Sequence, residues 1–519
     1  MATTERQIQD HPTLQCSTLA EAFQLTAAQH GDQVALRTPD DSVSITWAEY
    51  AGRVERLAGG LASLGVGHGD TVAIMLLNRP EFHLVDAAAL HLGATPFSVY
   101  NTSTREQVEY LFSNAGNRVA VTQPEFLPAV QGLAEHVVLV DDLEDLEDRT
   151  PSGFHFEQTW KAVEPSDVLT LIYTSGTTGP PKGVQLTHAN IMAELRGCST
   201  VLPIEPGGRA TSFLPSAHIA DRWSAHYYAS MAFGCTVTSV ADPRTIVQHL
   251  PSVKPTYWGA VPRVWEKVEA ALRKQGIADP SQLPDEVKAG IRAKLGLDEV
   301  RWLVSGAAPI ATETLEYFLA LGLPIQELWG MSELSCCATI NPQEAIRVGT
   351  CGPAIAGVEL ALAGDGELLV KGDIVMAGYR NDPAKTAEAI DDDGWLHTGD
   401  IATIDDDGYV SIVDRKKELI INAAGKNMSP ANIEGRLKAA HPLVGQAVVI
   451  GDRRPYNVAL LVLDPDACAA FAAEHGLPDG SPAALAEDPT VRTAVAAAVE
   501  AANMHLSRVE QVKRHTILA

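Results

Sequence analysis

Short apolar runs alternate with stretches of helical pattern along the first part of the chain, and this alternation limits the possible folds more than any other feature. The runs "TVAIMLL", "RVAVT" and "HVVLV" have the length of buried strands, and "PEFHLVDAAALHLG" has the length and pattern of a helix. Strands that are joined through helices usually lie parallel in one sheet, with the helices packed on its faces. The pattern therefore predicts an α/β fold built of layered sheets with flanking helices.

The chain is long enough for more than one domain. Its 519 residues exceed what one hydrophobic core usually serves. After about Leu360, strand-like segments such as "GELLVKG" and "GYVSIVDR" are separated by "DDDG" turns, which is typical of a small β-rich module. With the boundary placed at "VDRKKE", we predict a large N-terminal domain at 1–413, which includes a β-rich subdomain at about 345–413, and a small, mobile α+β C-terminal domain at 414–519.

Charge and cysteine content exclude several classes of protein. The formal net charge is -26, and the seven cysteines are scattered without a C-x-x-C pair. A polyanion repels nucleic acid, so we expect no nucleic-acid partner. Scattered thiols, a polar start without a signal peptide, and no apolar run of about 18 residues predict a cytoplasmic protein without a membrane span. Peripheral membrane contact and a homodimer stay open.

The apolar run "VLTLIY" at 168–173 leads directly into the loop "TSGTTGPPKG". Glycines in such a loop allow several backbone N–H groups to point into one concavity, hydroxyl groups add hydrogen-bond donors, and a lysine adds a full charge. This composition predicts a phosphate-binding loop, although it lacks the Gly-Lys-Ser/Thr order of a P-loop. The alternative is a flexible surface loop. The residues concerned are Thr174, Ser175, Gly176, Thr177, Thr178, Gly179 and Lys182.

This loop resembles the signature of the adenylate-forming enzymes, the superfamily of acyl-CoA synthetases, firefly luciferase and nonribosomal adenylation domains. Further segments follow in the family's order and rough spacing, so the resemblance covers nearly the whole chain. They are "FLPSAHIADRW" (213–223), "VSGAAPI" (304–310), "ELWGMSE" (327–333), "GWLHTGD" (394–400) and "VDRKKELIINAAGKN" (413–427).

The resemblance implies a reaction in two halves. A carboxylate attacks the α-phosphorus of ATP to give acyl-AMP and pyrophosphate, and the thiol of the co-substrate CoA then displaces AMP. Lys182 would hold the leaving phosphates and Ser332 would bind the α-phosphate. Glu333 would hold Mg²⁺, a hard cation that prefers carboxylate oxygen. His218 would stand beside the acyl site, or would simply be a packing residue.

The resemblance also assigns the nucleotide and CoA contacts. Asp400 would accept hydrogen bonds from both ribose hydroxyls, with Arg415 beside it. Trp329 would offer a flat face to adenine, or would be a core residue. The adenine-side loop would be Gly306, Ala307, Ala308 and Pro309, followed by Gly330 and Met331 in the next motif. Gly425 and Lys426 would lie in the segment that enters the site for thioester formation.

The sequence departs from the family at its C-terminal end. Family members normally have a Thr-rich segment there, whose lysine bridges the carboxylate and the α-phosphate during adenylation. This sequence ends at "SRVEQVKRHTILA", and Lys426, Lys438 and Lys513 do not stand in that context. We expect a truncated C-terminal domain, and adenylation slowed by roughly a hundred- to thousand-fold unless another lysine takes over.

The segments "SAHIADR" and "INAAGKNMSPANIE" most resemble those of bacterial long-chain fatty acyl-CoA synthetases. The resemblance therefore implies a long-chain fatty acid as substrate. A medium-chain or aryl acid–CoA ligase and a fatty acyl-AMP ligase are alternatives. A nucleotide-binding form impaired in adenylation is another, although Lys182, Glu333, Asp400 and Arg415 are all present.

Overall fold

The computed structural model describes residues 11–174, 179–422 and 427–518. The predicted α/β fold is confirmed, with a large N-terminal domain and a smaller C-terminal domain that has a hydrophobic core of its own. Within the described residues, no helix combines the length and the apolar character needed to cross a bilayer.

Sheet A, with seven strands, carries the predicted phosphate loop. Five of its strands run parallel, and two antiparallel strands extend one edge. The apolar run at 168–173 forms the strand Val168–Thr174, in which the central residues are buried. In spatial order the strands are Gly378–Tyr379, Lys182–Thr187, Val168–Thr174, Thr95–Ser98, Thr71–Met75, Val119–Thr122 and His136–Leu139.

The remaining sheets of the large domain are smaller. Sheet B contains Ser44–Thr46, Val34–Arg37, Thr236–Ser239 and Arg209–Ser212. Sheet C has three parallel strands and one antiparallel edge strand, in the order Tyr257–Ala260, Trp302–Ser305, Ile325–Trp329 and Thr339–Ile340. The parallel strands of sheet C end side by side, which brings the loops that follow them to one edge of the sheet.

Helices separate these strands as the alternating pattern predicts. Thr46 and Glu49 form a reciprocal capping box at the start of Trp47–Ser63. Thr18 caps Leu19–His30, but the Glu21 side chain accepts from the N–H of Ser17 and so does not complete a reciprocal box. The helix after His218 is wound as a π-helix over Arg222–Ala232. Other helices of the large domain are Pro80–His91, Arg105–Ala115, Leu127–Val130, Leu143–Glu147, Phe156–Lys161, His188–Ser199, Ile219–Asp221, Ile246–Val253, Pro262–Lys274, Asp285–Leu295, Thr312–Ala320 and Pro383–Ala389.

The β-rich segment after residue 360 forms sheet D, which is fully antiparallel. Its strands are Glu359–Leu362, Glu367–Lys371, Leu396–Ile404 and Val410–Arg415. The last strand runs through the predicted boundary, because Asp414 and Arg415 still pair with Ile401 and Asp400. The boundary at 413/414 stays a prediction.

The small domain packs helices against sheet E, which contains Val444–Ile450, Asn457–Leu463 and Val512–Leu518. The strands Ile420–Ile421 and Asn427–Met428 form a short hairpin before it. Lys438 lies in the helix Pro430–Ala440 and Lys513 in the last strand. The other helices are Pro465–His475, Pro482–Leu485 and Pro489–Met504.

Candidate active site

Three side chains from distant parts of the sequence form a hydrogen-bonded bridge. The Lys182 Nζ donates to the hydroxyl of Tyr379 at 2.8 Å, and that hydroxyl donates to Glu333 Oε1, also at 2.8 Å. The Lys182 ammonium also lies 4.1 Å from the centroid of the Tyr379 ring. The bridge links the lysine of the predicted phosphate loop to the carboxylate predicted to hold Mg²⁺.

Strand pairing explains why these residues meet. Gly378–Tyr379 pairs with the strand that begins at Lys182, so Tyr379 lies on the edge of sheet A beside the lysine. Glu333 belongs to a short helical turn after the last parallel strand of sheet C. Its carbonyl accepts a hydrogen bond from the N–H of Met376, which joins that turn to the segment leading to Tyr379.

Burial controls the protonation of the bridge. It raises the pKa of the Tyr379 phenol well above its ordinary value, and the neighbouring Glu333 charge raises it further. Burial lowers the pKa of the Lys182 ammonium, while Glu333 opposes that shift. Tyr379 therefore keeps its proton for Glu333 and accepts from Lys182.

Asp400 has two partners in this structure. The indole Nε1 of Trp329 donates to Asp400 Oδ2 at 2.9 Å, and the Arg415 guanidinium pairs with Oδ1 at 2.9 Å. Asp400 and Trp329 are buried, whereas Arg415 is about half exposed, with 49% of its side-chain surface accessible. Burial raises the pKa of Asp400, while Arg415 and the bond from Trp329 oppose that rise. Trp329 thus both packs in the core and orients the predicted ribose carboxylate.

The predicted adenine-side loop follows a strand that neighbours the strand of Trp329 in sheet C. Gly306 follows the strand Trp302–Ser305, which is parallel to Ile325–Trp329. Ala307 has a positive φ of 68°, and the side chains of Ala307, Ala308 and Pro309 are exposed at this edge of sheet C.

Gly330 makes a close contact that explains its residue type. A Cβ at this position would lie 2.0 Å from the carbonyl oxygen of Cys336, which is far inside van der Waals contact. The motif turn of Gly330, Met331, Ser332 and Glu333 is therefore packed backbone to backbone against Cys336 and Cys337.

His218 has a local role in the described structure. Its Nδ1 accepts from the N–H of Ala220 and so caps the turn Ile219–Asp221, and burial lowers its pKa. Asp221 accepts from the N–H groups of Phe213 and Leu214, which fixes the loop that carries the histidine. Within the described residues no hydrogen bond joins His218 to Lys182, Glu333 or Asp400.

Some predicted site residues lie outside the described residues, namely Ser175, Gly176, Thr177, Thr178, Gly425 and Lys426. The two ends of the phosphate loop are described. Thr174 pairs with Lys182 across the hairpin, and Gly179 has a φ of +107°, a value that favours glycine.

Sequence reasoning missed Tyr379. The segment "AGYRNDP" offers one aromatic residue between a glycine and an arginine, a pattern that carries no chemical signature by itself. Only the pairing of its strand with that of Lys182 reveals its position between the two charged groups.

Glu333 suits a hard cation. Its carboxylate is buried, with 5% of the residue's surface exposed, and the bond from Tyr379 uses only Oε1. Mg²⁺ accepts a carboxylate oxygen as ligand together with water and phosphate oxygens, so Glu333 fits the role predicted for it beside the predicted phosphate loop.

Comparisons with known proteins place this geometry in context. The model of the AMP-binding enzyme family matches residues 23–380, and that of the AMP-binding enzyme C-terminal domain matches 417–519. Mycobacterium tuberculosis fadD11, provisionally named a fatty-acid–CoA ligase, is 53% identical over 401 residues, or 70% of each chain. The long-chain-fatty-acid–CoA ligase FadD15 of Mycobacterium bovis is 35% identical over 91% of this chain and 86% of its own.

Solved structures agree in fold. O-succinylbenzoate coenzyme A synthetase of Bacillus subtilis, in complex with AMP, superposes with a TM-score of 0.77 at 22% identity, covering 96% of this chain and 94% of its own. A Mycobacterium tuberculosis fatty acyl CoA synthetase gives 0.69 at 23% identity, with 97% and 94% covered. At these identities the likeness concerns the fold alone.

Proposed function

Because the chain belongs to the AMP-binding enzyme family, we propose that it activates a long-chain fatty acid with ATP and transfers the acyl group to CoA. The products are fatty acyl-CoA, AMP and pyrophosphate. The observation that carries this proposal is the Lys182–Tyr379–Glu333 bridge, because it joins a cation at the end of the predicted phosphate loop to the carboxylate that we propose as the Mg²⁺ ligand.

The first half-reaction needs neutralisation of charge more than a protein nucleophile. Two anions, the fatty acid and the triphosphate, must approach each other, and fixed positive charge lowers the barrier to that approach. Lys182 contributes this charge towards the departing pyrophosphate, and Ser332 offers a hydroxyl to the α-phosphate. Glu333 would hold Mg²⁺, and the bound ion would supply further neutralisation of the phosphates.

The nucleoside end of ATP is proposed to bind at the edge of sheet C and sheet D. Asp400 has lone pairs left for ribose hydroxyls after its bonds to Trp329 and Arg415. The exposed loop at 306–309 offers backbone groups for adenine. Asp400 would thus orient the α-phosphate relative to Lys182.

The second half-reaction is proposed to use the small domain. A rotation about residues 414–416 would bring the segment of Gly425 and Lys426 to the acyl-adenylate, so that the thiol of CoA can displace AMP. In the present arrangement Lys416 forms ion pairs with Asp365, in the turn before the strand Glu367–Lys371, at 2.5 Å and with Glu367 at 2.8 Å.

Similarity to FadD15, a protein named for long-chain fatty acids, supports the choice of substrate. A medium-chain or aryl acid remains the alternative substrate class. A nucleotide-binding form that is impaired in adenylation is the alternative outside ligase chemistry.

The test is an assay of both half-reactions with the purified chain. Pyrophosphate release from ATP and Mg²⁺ is measured with palmitate, octanoate or benzoate, with and without CoA, and each acyl-CoA is quantified directly. We expect CoA-dependent thioester, with the highest kcat/KM for palmitate. Synthetic palmitoyl-AMP plus CoA is a separate arm for the second half-reaction.

Each arm isolates one part of the proposal. A higher kcat/KM with octanoate or benzoate would overturn the long-chain assignment. Pyrophosphate release without thioester formation would overturn the proposed transfer to CoA. Thioester formed from palmitoyl-AMP and CoA, but not from palmitate, ATP and CoA, would overturn the proposed adenylation step. Protection against heat by ATP, without turnover in any arm, would favour the nucleotide-binding alternative.

A further inference from the structure

A carboxyl group and two thiols meet in the core at a point that the proposed reaction does not use. Glu194, Cys198 and Cys337 are fully buried, and one ligand atom from each lies within 4.8 Å of the others. The two Sγ atoms are 3.7 Å apart, and Glu194 Oε1 lies 3.1 Å from Cys198 Sγ and 3.2 Å from Cys337 Sγ. All three cysteines of this region, Cys198, Cys336 and Cys337, are free thiols.

Two elements bring these groups together. Glu194 and Cys198 stand one turn apart on the helix His188–Ser199, so they share one face. Cys337 comes from the turn after Glu333, where Ser335 and Cys336 have φ values of 60° and 140°. A non-glycine residue seldom adopts such values, and strain of this kind indicates a position that the surrounding structure enforces.

The carboxyl group has unused bonding capacity. Oε2 of Glu194 is buried and has no hydrogen bond of normal geometry among the described residues, although the Trp223 side chain and the Cys337 backbone also interact with the carboxyl group. Burial raises the pKa of Glu194 and of both thiols. A buried polar group without a partner destabilises the fold unless something else occupies the site.

We propose that Glu194, Cys198 and Cys337 form a binding site for one Zn²⁺ ion. Zn²⁺ accepts thiolate sulfur and carboxylate oxygen, and three protein ligands are common in its sites.

The distances fit a tetrahedral ion with a small adjustment. Zn–S bonds of about 2.3 Å set two sulfurs about 3.8 Å apart, close to the observed 3.7 Å. A sulfur and an oxygen on the same ion would lie about 3.5 Å apart, so the carboxylate must withdraw by a few tenths of an ångström as its hydrogen bonds from the thiols are lost.

Binding would release the two thiol protons and the carboxyl proton to solvent. The three deprotonated ligands then carry three negative charges and the ion carries two positive charges, so the site has a net charge of about −1. Such an ion would cross-link the helix His188–Ser199 to the turn of Cys337, which packs against Gly330. It would therefore stabilise the backbone that carries Ser332 and Glu333 without contacting substrate.

The experiment measures zinc in the full chain. The protein is produced in zinc-supplemented medium, purified under reducing conditions, and analysed by elemental mass spectrometry and by thermal unfolding with and without a chelator. We expect about one zinc per chain, and a lower Tm after chelation that added Zn²⁺ restores.

Cys337→Ala and Cys198→Ser should each lower zinc affinity by about tenfold or more. Cys235→Ala is the matched control, because Cys235 is a fully buried thiol outside the cluster and should leave zinc content unchanged. Circular dichroism identifies any variant that fails to fold, and the wild type tests the proposal without any substitution. A folded wild type with no zinc and no chelator-dependent Tm overturns the proposal. Equal zinc in all variants also overturns it, since the ion would then lie elsewhere.

Discussion

Tyr379→Phe removes one oxygen atom from the centre of the bridge between Lys182 and Glu333. The substitution keeps the aromatic ring, and with it the contact to the Lys182 ammonium 4.1 Å from the ring centroid. It deletes two hydrogen bonds of 2.8 Å, each to a charged partner. The effect on catalysis therefore reports the hydroxyl group rather than the packing of the ring.

The expected magnitude follows from these bonds. A hydrogen bond to a charged group contributes roughly 1.5–3 kcal/mol. Water can replace the hydroxyl at the half-buried Lys182, so only the bond to the buried Glu333 is counted in full. A loss of about 1.5–3 kcal/mol corresponds to a decrease of roughly ten- to 150-fold in kcat/KM for ATP.

The assay is ATP–pyrophosphate exchange with palmitate over a range of ATP and Mg²⁺ concentrations. Lys182→Ala marks the effect of losing the cation altogether, and it should exceed that of Tyr379→Phe. Tyr409→Phe is the control, because its hydroxyl donates to the carbonyl of Ala345 at 2.8 Å, just before the strand Val410–Arg415 and outside the bridge. If Tyr379→Phe kept the wild-type kcat/KM at an unchanged Tm, the bridge would have no part in placing Lys182 and Glu333.

Two further outcomes are expected. Asp400→Ala should raise the KM for ATP by about tenfold, because it removes the acceptor for the ribose hydroxyls; an unaltered KM with the protein folded would contradict the ribose assignment. Glu327→Gln should flatten the pH dependence of stability, since burial raises the pKa of Glu327 to about 7. A raised pKa stabilises the protonated folded state, so this contribution is complete below about pH 4.5 and is lost as pH rises through 7, by up to about 3 kcal/mol. Urea unfolding at pH 5 and pH 8 measures this, and an equal loss of stability in both proteins would refute it.

Local pattern was sufficient for most of the fold. The alternation of apolar runs and helices predicts the parallel part of sheet A, because the length of a strand and the period of a helix show in the pattern of neighbouring residues. The antiparallel edge was not predicted, since Gly378–Tyr379 is too short to show a strand pattern and pairs with a strand almost two hundred positions earlier. Pairing between distant segments depends on packing, which leaves no local signal.

The α/β class, which the structure confirms, followed from the sequence alone. So did the predictions of a strand-to-loop phosphate signature ending at Lys182 and of the motif residues Glu333 and Asp400. Each of these depends on residue types that stand close together in the chain. The packed fold was needed to show that Tyr379 joins Lys182 to Glu333, that Trp329 donates to Asp400, and that Glu194 contacts Cys337. A hydrogen bond requires atoms within about 3 Å of each other. Residues far apart in sequence reach that distance only when sheets and turns have packed.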